Sequence, residues 1–279
     1  MSDLMTSRAP SSPEPDGAPP KLTVRDLVKT RRSTSGSLVT AVDHVTFDVH
    51  VGEFVCLLGP SGCGKTSILN VLAGLDEPSS GSVSLDGRPI TGPGPDRAVL
   101  FQEPALFPWL TVAANVELAL KLTGVPAERR RDRARLWLEN VGLGRYGDAQ
   151  PHELSAGMRQ RAQLARALAT EPDILLGDEP FGALDAQARE LLQDEVQRVW
   201  LERDGRKTFV FVTHNVREAA LLADITSTRS AAPGRLLEEV RISAPRPRQL
   251  DDVLVSRVVS DVHELLMREV GRASEATDR

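Results

Sequence analysis

Continuous apolar runs, each closed by a polar residue or a glycine-rich turn, recur along this chain. Phe54-Val55-Cys56-Leu57-Leu58 leads into Gly59-Pro60-Ser61-Gly62-Cys63-Gly64-Lys65-Thr66. Ala98-Val99-Leu100-Phe101 ends at Gln102, Ile174-Leu175-Leu176-Gly177 ends at Asp178-Glu179, and Thr208 to Val212 ends at Thr213-His214. Helical patterns stand between these runs. One covers Ser67 to Ala73 and stops at Gly74, and others run through Lys121 and from Pro126 to Val141. A long one opens at Leu154-Ser155-Ala156-Gly157 and repeats Met158, Ala162, Ala165 and Ala169 at helical spacing, and another spans Ala186 to about Glu202. Apolar strands alternating with helices predict an α/β fold with a mainly parallel sheet covered on both faces. Ligands of such sheets bind beyond the carboxyl ends of the strands, so the four polar endings are expected to converge on one edge.

Before the first run the pattern changes. Leu22 and Val24, then Val45, Phe47 and Val49, alternate with polar residues, and Asp86-Gly87 follows Ser82-Val83-Ser84-Leu85 as a hairpin signal. These stretches predict an N-terminal antiparallel β subdomain. Residues 1–20 are rich in Ser, Pro, Asp and Glu and read as a disordered tail. A core domain is expected over 21–240. Residues 241–279 are expected to form a helical extension, amphipathic from Asp251 to Val270 and frayed from Ala273.

Composition narrows the class. Of 279 residues, 41% are hydrophobic and 26% charged, which suits a soluble globular protein. The net charge of −5 argues against nucleic acid as a partner. The cluster Arg129-Arg130-Arg131-Asp132-Arg133 reads as a solvated helix face, because Glu128, Asp132 and Glu139 intersperse it. Two cysteines, Cys56 and Cys63, make no disulfide framework and suggest a reducing setting. No apolar run has the length of a membrane-spanning helix, and the N-terminus has no hydrophobic signal core.

The glycine-rich turn carries the chemistry. Strand, Gly-x4-Gly-Lys-Thr and helix form a P-loop, in which successive backbone N–H groups and a helix N-terminus face phosphate. Gly59, Pro60, Ser61, Gly62, Cys63, Gly64, Lys65, Thr66 and Ser67 are the expected nucleotide-binding residues, with Lys65 on the β/γ-phosphates of ATP and Thr66 on Mg²⁺. Asp178 has the place of a carboxylate supporting Mg²⁺, and Glu179 that of a base polarising the attacking water. His214 is placed to bond the γ-phosphate or that water, and Gln102 to reach Mg²⁺ or the water.

These residues together resemble the nucleotide-binding subunit of ATP-binding-cassette (ABC) transporters, from about Leu22 to Glu239. Leu154-Ser155-Ala156-Gly157-Met158-Arg159-Gln160-Arg161 resembles that family's signature, and Asp178 to Asp185 its Walker B segment and D-loop. Gln102 falls at its Q-loop and His214 at its switch histidine. The resemblance implies an ATPase that pairs head to tail with a second cassette, an identical copy, with ATP between one P-loop and the partner's Ser155-Ala156-Gly157. Asp185 joins the implied nucleotide contacts. The resemblance makes 21–240 an ABC ATPase domain with a helical subdomain at about 103–160; a membrane permease is the implied partner of that subdomain, and an extracytoplasmic solute-binding protein an indirect one. Both place the chain at the cytoplasmic face of the cell membrane. Phe101 to Val112 and Ala232-Pro233-Gly234-Arg235 resemble the nitrate/sulfonate/taurine importer branch. A soluble ABC ATPase that regulates or assembles without transport is the alternative reading.

Three departures from the family pattern stand out. Ala156 replaces the first signature glycine. No aromatic for adenine lies in Thr30 to Gly36, which leaves Arg31 or Arg32 to stack. Asp224-Ile225-Thr226-Ser227-Thr228-Arg229 is too polar for a buried strand, so a short or edge strand is expected there.

Overall fold

The computed structural model describes residues 5–8, 19–33, 36–201, 207–230 and 234–277. The elements in chain order are β1 (Met5–Arg8), β2 (Leu22–Arg32), β3 (Leu38–Val49), β4 (Phe54–Leu58), α1 (Lys65–Ala73), β5 (Ser80–Leu85), β6 (Arg88–Pro89) and β7 (Arg97–Leu100). Then come α2 (Val112–Leu122), α3 (Ala127–Asn140), α4 (Ala156–Ala169), β8 (Ile174–Asp178), α5 (Ala186–Leu201), β9 (Thr208–Thr213), α6 (Val216–Leu222), β10 (Ile225–Arg229), β11 (Leu236–Ile242) and α7 (Val253–Thr277). The chain divides into two compact units, Met1–Pro93 with Asp204–Arg279, and Gly94–Arg203.

The first unit holds strands in the order β1-β11-β10-β4-β9, with β10, β4 and β9 parallel and β11 and β1 antiparallel. Every residue of β4 and β9 is buried, which is why both read as unbroken apolar runs. Phe54, Phe209 and Phe211 pack together, with ring centroids 4.9 to 5.7 Å apart. A second sheet, β3-β2-β5-β6, is wholly antiparallel and is the N-terminal β subdomain expected from alternation.

Four expectations for this unit need correction. Within the supposed tail, Met5–Arg8 is a strand paired with Glu239–Ile242; the outer edge of β11 presents backbone donors and acceptors to any extended segment. The rest of 1–18 lies outside the described residues. The boundary at 240 falls inside β11, and α7, which buries Val255, Val258 and Val262, packs against α6. The helix also continues to Thr277 instead of fraying from Ala273. Finally, β10 is neither short nor at an edge: all five residues are buried between β4 and β11. Two of its three hydroxyls are satisfied internally, as Thr226 Oγ1 donates to the Val240 carbonyl (3.4 Å) and Thr228 Oγ1 to the Glu238 carbonyl (2.9 Å), whereas Ser227 Oγ reaches no partner among the described residues.

The second unit pairs β7 and β8 in parallel and holds α2, α3, α4 and α5. A helical subdomain ending near 160 would cut α4 after its first turn; α4 is one helix to Ala169, and it packs on α2, α3 and β7 alike. The arginine cluster lies on α3 as a solvated face with three tethers, one of them an ion pair of Arg133 Nη2 with Glu171 Oε1 (2.9 Å). Arg130 Nε donates to the Val125 carbonyl (2.6 Å) and Arg133 Nε to the Ala169 carbonyl (2.9 Å).

The aromatic trio sets the packing of β4 on β9. Replacing Phe54 by Ala is expected to cost about 3–5 kcal/mol of stability, read as a lowered midpoint in a denaturant titration. A loss under about 1 kcal/mol would show that the trio is not central to the core.

Candidate functional site

In the first unit the phosphate loop joins a fully buried strand to α1. Gly62 and Gly64 have φ of +82° and +85°, values that side chains resist. A Cβ on Gly64 would lie 2.4 Å from the Ala41 carbonyl oxygen, so the loop rests directly on backbone. A second backbone support comes from Gly234. Its N–H donates to the Ala41 carbonyl (3.1 Å), its carbonyl accepts from the Asp43 N–H (3.1 Å), and a Cβ there would overlap the Cys63 carbonyl. Ala232 and Pro233 lie outside the described residues.

Lys65 is buried, and its Nζ donates to the Gly59 (2.7 Å) and Pro60 (2.9 Å) carbonyls. Ser61 and Thr66 are exposed, while Cys63 and Ser67 are buried. Cys56 sits inside β4, where burial pushes its thiol far up and makes it inert.

The parallel register places Leu58 opposite Thr213, so the phosphate loop and His214 leave the sheet at the same edge. His214 is exposed and lines a cleft of about 540 Å³ with Asn215, Arg217, Ser260 and His263. Its loop is held from behind. Thr213 Oγ1 donates to Glu218 Oε2 (2.7 Å) and accepts from the Asn215 N–H (3.0 Å), and Asn215 caps α6 by accepting from the Arg217 N–H (3.0 Å).

In the second unit Leu100 lies opposite Gly177, so Gln102 and Asp178-Glu179 also leave their strands at one edge. Gln102 is exposed; Asp178 and Glu179 are half-buried. Glu179 has a φ of +43°, unusual for a residue with a side chain and a form of strain that gathers at functional sites. Ser155 caps α4, with Oγ accepting from the Met158 N–H (3.3 Å); Ser155 and Ala156 are exposed and Gly157 is half-buried. Asp185 is exposed and opens α5, its Oδ1 accepting from the Ala188 N–H (2.9 Å).

Three α4 residues were not singled out from sequence, although they fasten both loops. Gln160 Nε2 donates to the Phe101 (3.2 Å) and Pro180 (2.7 Å) carbonyls. Gln163 Nε2 donates to the Phe101 carbonyl (3.1 Å) while its Oε1 accepts from the Ala105 N–H (2.8 Å). Arg166 Nη1 donates to the Ala105 carbonyl (2.7 Å), and burial lowers its guanidinium pKa. The signal was present: polar residues at i, i+3 and i+6 on a helix face that is otherwise buried.

A buried parallel strand, a glycine-rich turn with its lysine and a following helix define a P-loop nucleotide-binding protein. A family profile described as ABC transporter matches residues 42–182. An uncharacterized ABC transporter ATP-binding protein of Methanocaldococcus jannaschii is 44% identical over 90% of this chain and 92% of its own. The taurine import ATP-binding protein TauB of Mesorhizobium japonicum is 52% identical over 72% of this chain and 78% of its own. A dimeric ATP-binding cassette, solved in a post-hydrolysis state with ADP and phosphate, superposes with a TM-score of 0.71 at 31% identity, over 80% of this chain and all of that one. The chain belongs to the ABC transporter family, as an ATP-binding subunit with ATPase activity. Among the described residues, no helix is long and apolar enough to cross a membrane.

Gln163→Leu keeps the size of the side chain but strands the Ala105 N–H and leaves the Phe101 carbonyl to Gln160 alone. A stability loss of about 1–3 kcal/mol is expected, with faster amide exchange across 101–107. Unchanged exchange there would remove Gln163 from the fastening.

Proposed function

We infer that this subunit drives uptake through a membrane permease, for a solute of the nitrate, sulfonate or taurine kind. The observation that carries the reading is the register of the strands. In each unit two chemically equipped strand tips leave at one edge, the phosphate loop with His214 and Gln102 with Asp178-Glu179. The taurine importer's subunit, 52% identical here, supports the solute class.

In this reading Gly59 to Ser67 bind the triphosphate through backbone N–H groups, and Lys65 turns from the loop's own carbonyls toward the β/γ-phosphates. The backbone cradle and the exposed residue Thr66, with its hydroxyl side chain, fit a nucleotide with its metal. Thr66, Asp178 and Gln102 would hold Mg²⁺, whose contribution is to neutralise phosphate charge. Glu179 takes the proton of the attacking water, and His214 bonds the γ-phosphate side of the site.

A second, identical cassette completes the site with its Ser155, Ala156 and Gly157 at the N-terminus of α4. Asp185 lies on the facing D-loop, and the Ala156 methyl crowds the γ-phosphate slightly compared with glycine. The adenine lies near β2. Arg31 Nη2 is drawn toward Asp76 (3.8 Å), whereas exposed Leu38 and Val39 on β3 face Arg32 and Arg31 and offer an apolar surface for the base. The segment from Glu103 to about Gln150 contacts the permease at the cytoplasmic face of the membrane, and an extracytoplasmic solute-binding protein delivers the solute.

Glu179→Gln, purified with the permease, is expected to lose roughly 10²- to 10⁴-fold in kcat while still binding ATP. ATPase activity close to wild type would take Glu179 out of the role of base.

A further inference from the structure

Arg229 is the last residue of β10, and it is fully buried, at 0% exposure. Parallel pairing sets Thr228 beside Leu58, so Arg229 comes level with Gly59, where the phosphate loop begins. A Cβ built on Gly59 would lie 3.2 Å from Arg229 Cβ and 2.8 Å from Cys63 Sγ. The guanidinium turns back under the loop: Nη2 donates to the Gly234 carbonyl (3.2 Å), and Gly234 is the residue pressed against the Cys63 carbonyl. Nε and Nη1 reach no acceptor, and no carboxylate pairs with the group, among the described residues. Burial pushes its pKa down to about 10, with only the Cys63 thiol pulling the other way, so the group is still charged near neutral pH.

A buried cation without an anionic partner opposes folding, and a hydrophobic residue of similar size would be at least as stable there. Neighbouring strands β4 and β9 use such residues at their own buried positions. The anion missing from this balance is one that the chain does not supply itself, and the loop in front of Arg229 is built to bind one. We propose that Arg229 is a positioning cation for the nucleotide. It acts through the backbone of Gly59 to Cys63, holding the loop from behind and adding positive potential to the phosphate site without touching the phosphates. The low-dielectric surroundings make this potential stronger than that of a surface arginine. The inference rests on the reading that this loop binds the phosphates of ATP.

The test compares wild type with Arg229→Met, Arg229→Lys and Lys65→Ala in the full chain, by calorimetric titration with ATP, ADP and AMP. Arg229→Met is expected to weaken ATP binding about ten-fold, ADP less and AMP least, because the effect scales with phosphate charge. The nucleotide-free melting temperature should hold or rise, since an unpaired charge has been removed. The KM for ATP should increase while kcat at saturation stays near wild type, and Arg229→Lys should recover most of the affinity. Arg229→Gln is expected to act as the Met variant does and replaces it if the Met variant does not fold.

Wild-type ATP affinity in the Met variant would overturn the proposal. So would an equal loss for ATP and AMP, or a Lys variant as weak as Met, because either marks a purely structural residue. The two readings fail separately. If Lys65→Ala binds ATP as well as wild type does, the phosphate-loop reading itself falls. If Lys65→Ala abolishes binding and Arg229→Met matches wild type, only the role of Arg229 falls.

Discussion

Backbone amides recognise phosphate only when their peptide planes are already aimed, and that requirement shapes everything behind residues 59–64. The planes around Gly62 and Gly64 sit in the left-handed region, where they have little to hold them but their neighbours. The neighbours are themselves backbone. Ala41 lies against Gly64, Gly234 lies against Cys63, and the Ala41–Asp43 stretch and Gly234 bond each other. Backbone makes the tightest of these contacts, with the Val42 side chain beside Ala41 against Gly64, so the loop inherits the rigidity of the strands behind it. The buried aromatic packing of β4 on β9 then sets the spacing between this loop and His214.

The second unit meets the same requirement with side chains. Its two strand tips continue into irregular segments with no ladder to hold them, and α4 supplies the missing partners. Gln160 bonds carbonyls of both segments, and Gln163 and Arg166 fasten the stretch after Gln102. Buried amides are costly unless satisfied, and these are satisfied by main-chain groups that would otherwise be orphaned. The helix that opens with Ser155 therefore also anchors Gln102 and the Asp178-Glu179 turn. A displacement of any one of the three within this unit strains the other two. A coupling of this kind suits a protein whose nucleotide state must be felt elsewhere in the chain.

Much of this was legible beforehand, for identifiable reasons. The phosphate loop, its strand and α1 are short-range features, and glycine spacing between an apolar run and a helical run is enough to read them. β9, β8 and the tip residues Asp178, Glu179 and His214 were legible because a fully buried strand leaves an apolar run with a sharp polar end. The misreadings were of another kind. β10 looked too polar to be interior, because hydroxyl hydrogen bonds to β11 cannot be foreseen from residue type. The pairing of Met5–Arg8 with β11 was invisible because an edge strand borrows its stability from the sheet it joins. The work of Gln160 was hidden in a motif quoted for other reasons, and Gln163 stands just beyond it.

By itself, then, the amino-acid sequence determined the class of chemistry. The residues that meet phosphate, magnesium and water stand at strand ends, and periodicity over five to ten positions locates such ends. Tertiary structure alone decided what stands behind them. Arg229 is about 170 positions from Gly59, and the two meet only because β10 pairs in parallel with β4 across a long crossover. Contacts between such distant parts leave no local pattern to read, since each partner looks ordinary until the other is beside it.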